Sequence, residues 1–224
     1  MSAGKGVRML PLTKNTNKSL IEINGKPFLS YLMNNLREAG LNDIALIVGY
    51  KKEKVKEYLE KNYIKAELIE QKEYFGTGDA VKHAKDFVGQ DNFILIGGDT
   101  LISSNDLREI AKEDGFNHVG GYKTETPEKF GILVCSGDSL IKIIEKPKKY
   151  VSNLASIGLY KFSPEIFKAL EQTQLSPRGE YELIGAINIL AKQGKIKVVK
   201  LKDYWVDLGC KEDIPKVETF LKHK

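Results

Sequence analysis

The N-terminal segment combines glycines and basic residues at a spacing typical of a phosphate-binding loop. Gly4 and Gly6 flank one lysine, Arg8 follows shortly, and Lys18 lies further along the chain. Glycine lets backbone N–H groups turn toward an anion and approach it closely. Arg and Lys supply the positive charge that neutralises a triphosphate. The pattern predicts a loop that binds the phosphates of a nucleotide, although a single G-x-G also occurs in ordinary turns.

A second cluster of small and polar residues follows a short apolar segment. Gln71 precedes the sequence Gly76-Thr77-Gly78-Asp79-Ala80. A glutamine amide offers one donor group and one acceptor group, which suits the edge of a nucleotide base. Glycines allow a flat base to lie directly against the backbone. We therefore expect this segment to contact the base, although a capped strand-to-helix turn has the same composition.

Two aspartates occupy positions that favour a divalent cation. Asp99 follows the apolar segment Phe93–Ile96, and Asp207 lies within Trp205-Val206-Asp207-Leu208-Gly209. A carboxylate at the tip of a buried strand faces the substrate crevice of an α/β fold, where Mg²⁺ is held partly by phosphates. We predict that both carboxylates converge on one side of a sheet and bind Mg²⁺.

A third charged motif, Glu145-Lys146-Pro147, also stands at a predicted strand end. The carboxylate can hydrogen-bond sugar hydroxyls, and the lysine can contact a sugar phosphate. The three histidines show no metal-ligand spacing, and no Ser/His/Asp nucleophile motif is present. The candidate chemistry therefore depends on cations, carboxylates and glycines.

The first half of the chain predicts alternating helices and strands. Such alternation indicates βαβ units and a mostly parallel sheet, whose ligands bind beyond the carboxyl ends of the strands. The predicted helices span 27–39, 51–61 and 78–87, and the predicted strands span 43–48, 65–69 and 92–96.

The second half predicts short strands followed by helices. Turn residues separate the strands, and Gly179 precedes the longer of the first two helices. The predicted strands span 117–122, 131–135, 140–145, 154–161, 196–201 and 204–207, and the predicted helices span 163–171, 180–193 and a final segment to about 221.

The segment before Gly4 contains no apolar strand. A phosphate loop of this kind normally follows a central strand that is buried on both faces. Without that strand the core would be open at its middle. We expect that the natural protein begins about eight residues earlier, because every later motif is intact and only this strand is missing.

Composition narrows the class of protein. Hydrophobic residues make up 42% of the 224 residues, so a sizeable core can form. Lys and Glu alternate, as in Lys51-Lys52-Glu53-Lys54, and the net charge of +5 is not concentrated, which argues against nucleic acid as a partner. No apolar run approaches the ~20 residues of a membrane helix, and no secretory signal is present. With only two cysteines in no metal or disulfide pattern, we expect a cytoplasmic protein that binds no membrane.

Taken together, the motifs resemble the sugar nucleotide pyrophosphorylases of the nucleoside-triphosphate transferase family. That family carries G-x-G-T-R-x-x-P-L-T, a lysine and K-P, and this chain has AGKGVRMLPLT, Lys18 and Lys26-Pro27. Six further motifs follow in the family's order: Gln71 with GTGDA, Gly98-Asp99, Phe130-Gly131-Ile132-Leu133, Glu145-Lys146-Pro147, Arg178-Gly179-Glu180-Tyr181-Glu182, and Trp205–Gly209. The match covers residues 3 to about 213.

The resemblance implies a fold and a reaction. The fold would be a Rossmann-like three-layer α/β sandwich with a mostly parallel mixed sheet, of the nucleotide-diphospho-sugar transferase type. A single domain would span 1–224, with a nucleotide-binding half at 1–115 and a sugar-binding half at 116–224. The reaction would join a nucleoside monophosphate from an NTP to a sugar 1-phosphate and release pyrophosphate, with Mg²⁺ as cofactor.

The resemblance also implies residue roles. Catalysis would use the three cations, the phosphate loop and base contacts would bind the nucleotide, and the later motifs would bind the sugar phosphate. The implied catalytic residues are Arg8, Lys18 and Lys146; the nucleotide-binding residues are Ala3, Gly4, Gly6, Gln71, Gly76 and Thr77; the sugar-phosphate-binding residues are Gly131, Glu145, Lys146 and Arg178; and the metal ligands are Asp99 and Asp207.

Several departures from the family pattern leave the substrate open. Val7 replaces a threonine, Asn17 replaces a proline, and Ser156-Ile157-Gly158 stands where N-A-G is common. We expect UTP or dTTP with glucose or N-acetylglucosamine 1-phosphate. Guanylylation of mannose or heptose 1-phosphate, phosphocholine cytidylylation, and a non-catalytic regulatory paralogue are the alternatives. A homo-oligomer is also compatible with the sequence.

Overall fold

The computed structural model describes all residues from Met1 to Lys224. The strands are β1 (Glu22–Ile23), β2 (Lys26–Pro27), β3 (Ala45–Val48), β4 (Glu67–Glu70), β5 (Phe93–Ile96), β6 (Thr100–Ile102), β7 (Asn117–Lys123), β8 (Gly131–Ser136), β9 (Ser139–Glu145), β10 (Leu154–Phe162), β11 (Ile196–Lys200) and β12 (Trp205–Asp207). The helices are α1 (Phe28–Glu38), α2 (Lys52–Lys61), α3 (Thr77–Lys82), α4 (Lys85–Val88), α5 (Ser104–Ile110), α6 (Glu165–Glu171), α7 (Leu183–Lys192) and α8 (Ile214–Lys222). No helix is long and apolar enough to cross a membrane.

A six-stranded sheet in the order β5-β10-β7-β11-β9-β8 forms the centre of the molecule. It takes β5 from the first half of the chain and the other strands from the second. Three small pairs, β1 with β2, β3 with β4, and β12 with β6, lie outside this sheet. The two halves of the chain are therefore joined by strand pairing, since β10 pairs with β5 and β12 pairs with β6.

Two hydrophobic cores lie on opposite faces of the strands. Neighbouring strand residues alternate between them, so Tyr160 belongs to one core and Leu159 to the other. Helices α3, α6 and α7 cover the first face, and α1, α2 and α5 cover the second. This arrangement is a helix–sheet–helix sandwich, which confirms the expected α/β fold class.

The sheet is mixed, as expected, but it contains fewer parallel pairs than the alternation of helices and strands predicted. Only β3 with β4 and β11 with β7 pair in parallel, together with an isolated bridge between Ser2 and Val48. The reason is that β5 pairs with β10, which runs in the opposite direction. A sequence pattern identifies strands but does not identify their partners.

The predicted elements lie close to the observed ones, with two differences. The helix expected over 78–87 is two short helices, α3 and α4, separated at His83 and Ala84. The strands β1, β2 and β6 and the helix α5 were not predicted. Ser103 caps α5, because its hydroxyl accepts a hydrogen bond from the Asp106 N–H at 3.0 Å.

The first three residues are extended and lie between β3 and β5, with backbone hydrogen bonds to both sides. The Ser2 N–H donates to the Ile47 carbonyl at 2.7 Å, and the Gly98 N–H donates to the Met1 carbonyl at 2.7 Å. The Met1 amino group donates to the Ile96 carbonyl at 2.7 Å. A cavity of about 950 Å³ lies beside Met1, between β3 and β5.

Candidate active site

The loop that follows Ala3 is held in shape by its own glycine and threonine. Gly6 has a left-handed backbone with φ of 60°, which favours glycine. A Cβ atom at Gly6 would lie 3.0 Å from Thr13 Cγ2, so the close approach also requires glycine. The Thr13 hydroxyl donates to the Gly6 carbonyl at 2.9 Å. Gly4 has open space around it, and its place in the loop requires no glycine on steric grounds.

Asn17 fixes this loop to the rest of the molecule. Its side chain is fully buried, and its amide donates to the carbonyls of Ser2 and Tyr50 at 2.9 and 2.8 Å. Its carbonyl oxygen accepts from the Ser2 hydroxyl at 2.9 Å and from the Ser19 N–H at 3.0 Å. The sequence identified Asn17 only as a replacement for a proline. In the structure it positions the short helical turn that begins at Lys18.

Lys18 lies at the centre of the charged site. Its ammonium contacts the Asp99 carboxylate at 2.7 Å, and the lysine side chain is only 14% exposed. Asp207 is next to this pair, since it is opposite Thr100 in the β6–β12 ladder and the Leu208 N–H donates to the Asp99 carbonyl at 2.8 Å. The structure thus brings Lys18, Asp99 and Asp207 together, although these residues are far apart in sequence.

The surroundings of Asp207 disfavour its negative charge. The pKa of Asp207 is raised from its ordinary value of 3.8 to about 7, chiefly by burial and then by the charges of Asp99 and Asp213, while Lys18 and Arg8 act to lower it. A Cβ atom at Gly209 would lie 3.0 Å from an Asp207 oxygen and 3.8 Å from Arg8 Nη1. Arg8 therefore approaches the same cluster from the phosphate loop.

The chemistry of this cluster fits a divalent cation. Two carboxylates with an unfavourable mutual charge provide the oxygen ligands that Mg²⁺ prefers, and phosphates supply the remaining ligands in such sites. No group of three or more His, Cys, Asp or Glu side chains forms a metal cage elsewhere in the protein. A cation at this position would favour the charged form of Asp207, against the burial and the repulsion from Asp99 that raise its pKa.

Gln71 is predicted to contact a base, but its amide is used differently from that expectation. Its Nε2 group donates to the Asp79 carboxylate at 2.8 Å and to the Gly76 carbonyl at 3.2 Å. Both amide hydrogens are therefore engaged inside the protein. The sequence suggested one donor and one acceptor for a base edge, whereas the structure leaves only the Oε1 acceptor.

Gly76, Thr77 and Gly78 lie against the segment that contains Tyr181. A Cβ atom at Gly76, where φ is 102°, would approach the Tyr181 carbonyl to 2.7 Å. The Thr77 hydroxyl accepts from the Leu183 N–H at 3.1 Å, at the start of α7. The glycines in this loop therefore allow it to pack on a second-half segment, and the Thr77 hydroxyl has a structural partner.

The predicted sugar-side residues form a separate group on β8 and β9. Gly131 pairs with Glu145, and a Cβ atom at Gly131 would lie 3.1 Å from a Glu145 carboxylate oxygen. Lys146 has a φ of 42°, and its side chain is 57% exposed. A glycine at 131 therefore leaves room for the Glu145 carboxylate, and the exposed Lys146 ammonium lies 4.0 Å from an oxygen of that carboxylate.

Arg178 lies on the rim of this group. Its guanidinium contacts Glu182 at 3.0 Å and remains 59% exposed. The hydrogen bond to Glu182 raises the pKa of Arg178, with smaller effects from Glu180 and Glu145. Arg178 is thus oriented by a carboxylate of its own motif and makes no direct contact with Lys18 or Asp99 in this structure.

Comparison with known proteins shows the family of this α/β protein. The sequence model of the nucleotidyl transferase family matches residues 1–224. The chain belongs to this family. The structure is also similar to a UDP-glucose pyrophosphorylase solved with UDP-glucose, with a TM-score of 0.89, 25% identity, and coverage of 100% of this chain and 97% of that one.

Curated relatives share more of the sequence. The bifunctional protein GlmU of Methanocaldococcus jannaschii is 42% identical over 226 residues, covering 100% of this chain and 54% of the relative. A bifunctional sugar-1-phosphate nucleotidylyltransferase/acetyltransferase of Sulfurisphaera tokodaii is 38% identical, covering 93% of this chain and 51% of the relative. The chain thus spans about half the length of these relatives.

Proposed function

We propose that this protein is a sugar-1-phosphate nucleotidylyltransferase. It transfers a nucleoside monophosphate from an NTP, with UTP or dTTP favoured, to glucose or N-acetylglucosamine 1-phosphate. The products are an NDP-sugar and pyrophosphate. The observation that carries the proposal is the cluster of Lys18, Asp99 and Asp207 beside the glycine loop that contains Arg8.

The proposed mechanism depends on positive charge that stabilises the phosphates, and it requires no general base. A sugar phosphate oxygen is already anionic, so it attacks the α-phosphorus of the NTP without losing a proton. Charge then builds up on the transferred phosphoryl group and on the leaving pyrophosphate. Lys18 and Arg8 stabilise that charge from the loop side, and Lys146 orients the attacking phosphate. The absence of a histidine from this cluster is consistent with this chemistry.

Asp99 and Asp207 are the proposed ligands of Mg²⁺. When bound, the cation offsets phosphate charge and orients the triphosphate. The ion pair between Lys18 and Asp99 at 2.7 Å keeps the lysine ammonium near the same phosphates. The three side chains therefore form one charged unit.

The sugar is proposed to lie on the second half of the chain. Glu145 accepts hydrogen bonds from sugar hydroxyls, and Gly131 leaves room beside it. Relatives are described as sugar-1-phosphate nucleotidylyltransferases, and one related structure contains UDP-glucose. These descriptions support a hexose 1-phosphate as the acceptor.

Pyrophosphate release over a panel of substrates tests the proposal. Each of UTP, dTTP, CTP, GTP and ATP is combined with glucose, N-acetylglucosamine or mannose 1-phosphate, or with phosphocholine, in the presence of Mg²⁺. We expect the highest kcat/KM for UTP or dTTP with a glucose-type phosphate. Preference for GTP with mannose 1-phosphate, or for CTP with phosphocholine, would assign a different member of the family. No release with any pair would contradict the catalytic role.

A further inference from the structure

Gln71 lies where three segments of the molecule meet, beside the start of the phosphate loop. Its backbone N–H donates to the Val48 carbonyl at 2.8 Å, at the end of β3. A Cβ atom at Gly49 would lie 3.1 Å from the Gln71 carbonyl and 3.0 Å from the Ala3 carbonyl. The backbone of Gln71 is therefore close to the residue from which the phosphate loop begins.

The side-chain amide of Gln71 is held at its nitrogen end only. Gln71 is buried, and its Nε2 group donates to the Asp79 carboxylate at 2.8 Å and to the Gly76 carbonyl at 3.2 Å. Its Oε1 atom accepts no hydrogen bond within the protein. That atom also reaches solvent, since the only sealed and unpartnered side-chain polar atom of the molecule is Trp205 Nε1. The amide thus offers one free acceptor and no free donor.

The orientation of this amide follows from the chemistry of its two neighbours. An ionised carboxylate and a backbone carbonyl accept hydrogen bonds and cannot donate them. If the amide flipped, Oε1 would face two acceptor oxygens, and the Nε2 hydrogens would lose both partners. Such a loss is costly at a buried position, because water does not replace the missing partners. Asp79 and Gly76 therefore hold Gln71 with its oxygen pointing away from them.

Asp79 makes the stronger of the two contacts with the amide. It lies in the first turn of α3, and its side chain is half-buried. Its contact with Nε2 is 0.4 Å shorter than that of Gly76, which is the difference between 2.8 and 3.2 Å. It is also charge-assisted, and such hydrogen bonds are stronger than those to a neutral carbonyl. The same Asp79 oxygen lies 3.6 Å from Nε2 of the exposed His83 ring.

We infer that Asp79 is a positioning residue that makes Gln71 an acceptor-only reader of the nucleotide base. The inference rests on the proposed function, in which Gln71 contacts the base. Asp79 acts through the Nε2 group of Gln71 and not on the base itself. The base edge then meets one hydrogen-bond acceptor, and no donor, from this side chain.

A fixed acceptor distinguishes pyrimidines by the hydrogen on ring nitrogen N3. Uracil and thymine carry a hydrogen there, which donates to Oε1. Cytosine has a bare N3, whose lone pair would face the lone pairs of Oε1 if the base kept the same position. A site of this kind discriminates because the wrong base leaves the acceptor unpaired or repelled. Asp79 is therefore expected to set the preference for uracil or thymine over cytosine.

The test compares kcat/KM for UTP, dTTP and CTP in the wild type and in Asp79→Ala. Without the carboxylate, the Gln71 amide loses its stronger partner and is able to flip, which directs Nε2 toward the base. We expect the UTP:CTP ratio to fall at least about tenfold. The UTP:dTTP ratio is the internal reference. We expect it to stay within about twofold of the wild-type ratio, because both bases carry the same hydrogen on N3.

Two further variants separate the orientation of the amide from a general effect on structure. Asp79→Glu keeps a carboxylate that only accepts, and we expect it to retain more of the UTP:CTP ratio than Asp79→Ala does. His83→Ala removes a neighbour of Asp79 and leaves the carboxylate in place, so we expect the wild-type ratio. A merely structural role for Asp79 would lower kcat/KM for all three nucleotides by the same factor.

Melting temperatures show whether each variant is folded before its kinetics are compared. If Asp79→Ala does not fold, Asp79→Ser takes its place in the test. A serine hydroxyl donates as well as accepts, so it does not fix the orientation of the Gln71 amide. We then expect the same direction of change, a lower UTP:CTP ratio with an unchanged UTP:dTTP ratio.

The result separates this inference from the proposed function. An unchanged UTP:CTP ratio in Asp79→Ala, an equal fall of the UTP:dTTP ratio, or a wild type that prefers CTP overturns the role of Asp79. If no NTP is turned over, the proposed function fails, and the role of Asp79 is then decided by equilibrium binding of UTP and CTP to the same proteins. Equal loss of affinity for both nucleotides in Asp79→Ala would contradict it.

Discussion

Single residues in this site act through charge held where water is partly excluded. Lys18 is 14% exposed and pairs with Asp99, while Asp207 carries a raised pKa beside them. In such surroundings a charge acts more strongly on a bound phosphate than it would in water. We therefore expect that single substitutions in this cluster change turnover strongly.

Replacing Lys18 with Ala is expected to lower kcat on the order of a hundredfold or more, because it removes charge stabilisation from the transition state. The matched control is Lys56→Ala on α2, where the side chain is 65% exposed. Steady-state kinetics of pyrophosphate release measure both. Wild-type kcat in a folded Lys18→Ala protein would refute the role of Lys18.

Asp207 provides a test of stability against pH. Its pKa is raised to about 7 in the folded protein, so the folded state binds more protons than the unfolded state between pH 3.8 and about 7. Unfolding free energy therefore falls as pH rises through that interval. In metal-free buffer, the Asp207→Asn substitution should remove this pH-dependent loss of unfolding free energy. At each pH, the melting temperature of the wild type is subtracted from that of Asp207→Asn. This difference should be larger at about pH 8 than at about pH 5, by roughly 3–8 °C.

The same substitution is expected to lower turnover by about a hundredfold, because an amide is a weaker ligand for Mg²⁺ and carries no charge. A protein that becomes more stable and less active would agree with a carboxylate kept in place for function. A melting-temperature difference that is the same at both pH values would contradict the raised pKa.

At the scale of elements, the phosphate loop depends on one buried amide. Asn17 links the first residues of the chain, the Tyr50 carbonyl and the turn at Lys18. Each buried hydrogen bond contributes modestly, but an orphaned partner is costly. The loop is thus positioned by contacts that its own glycines cannot supply.

Replacing Asn17 with Ala is expected to destabilise the protein by roughly 2–4 kcal/mol, since several buried groups lose their partner. Asn15→Ala, at an exposed position of the same segment, is the control. Chemical denaturation measures the difference. Equal stability of the two variants would show that the network around Asn17 carries little energy.

The sequence predicted elements better than it predicted contacts. Local periodicity located β3, β5 and α1 to within a few residues, because burial on one face leaves a regular pattern. It did not predict that Gln71 donates to Asp79, or that Asn17 holds the loop, because such pairs depend on the folded arrangement. The pairing of β5 with β10 was missed for the same reason.

At the scale of the whole molecule, two halves contribute to one site. The pairing of β12 with β6 brings Asp207 from the end of the chain to Asp99. The loop at Gly76, which is predicted to bind the base, packs against Tyr181 of the second half. Substrates that span both halves, a nucleotide and a sugar phosphate, fit this organisation.

Phosphorus NMR of a reaction with UTP, glucose 1-phosphate and Mg²⁺ tests the central claim most directly. We predict that glucose 1-phosphate and UTP disappear together, while a diphosphate with two inequivalent phosphorus signals and pyrophosphate appear in equal amounts. Lys18→Ala should slow both products alike. Release of inorganic phosphate from UTP with unchanged glucose 1-phosphate, or no reaction with any NTP and sugar 1-phosphate pair, would contradict the assignment as a sugar-1-phosphate nucleotidylyltransferase.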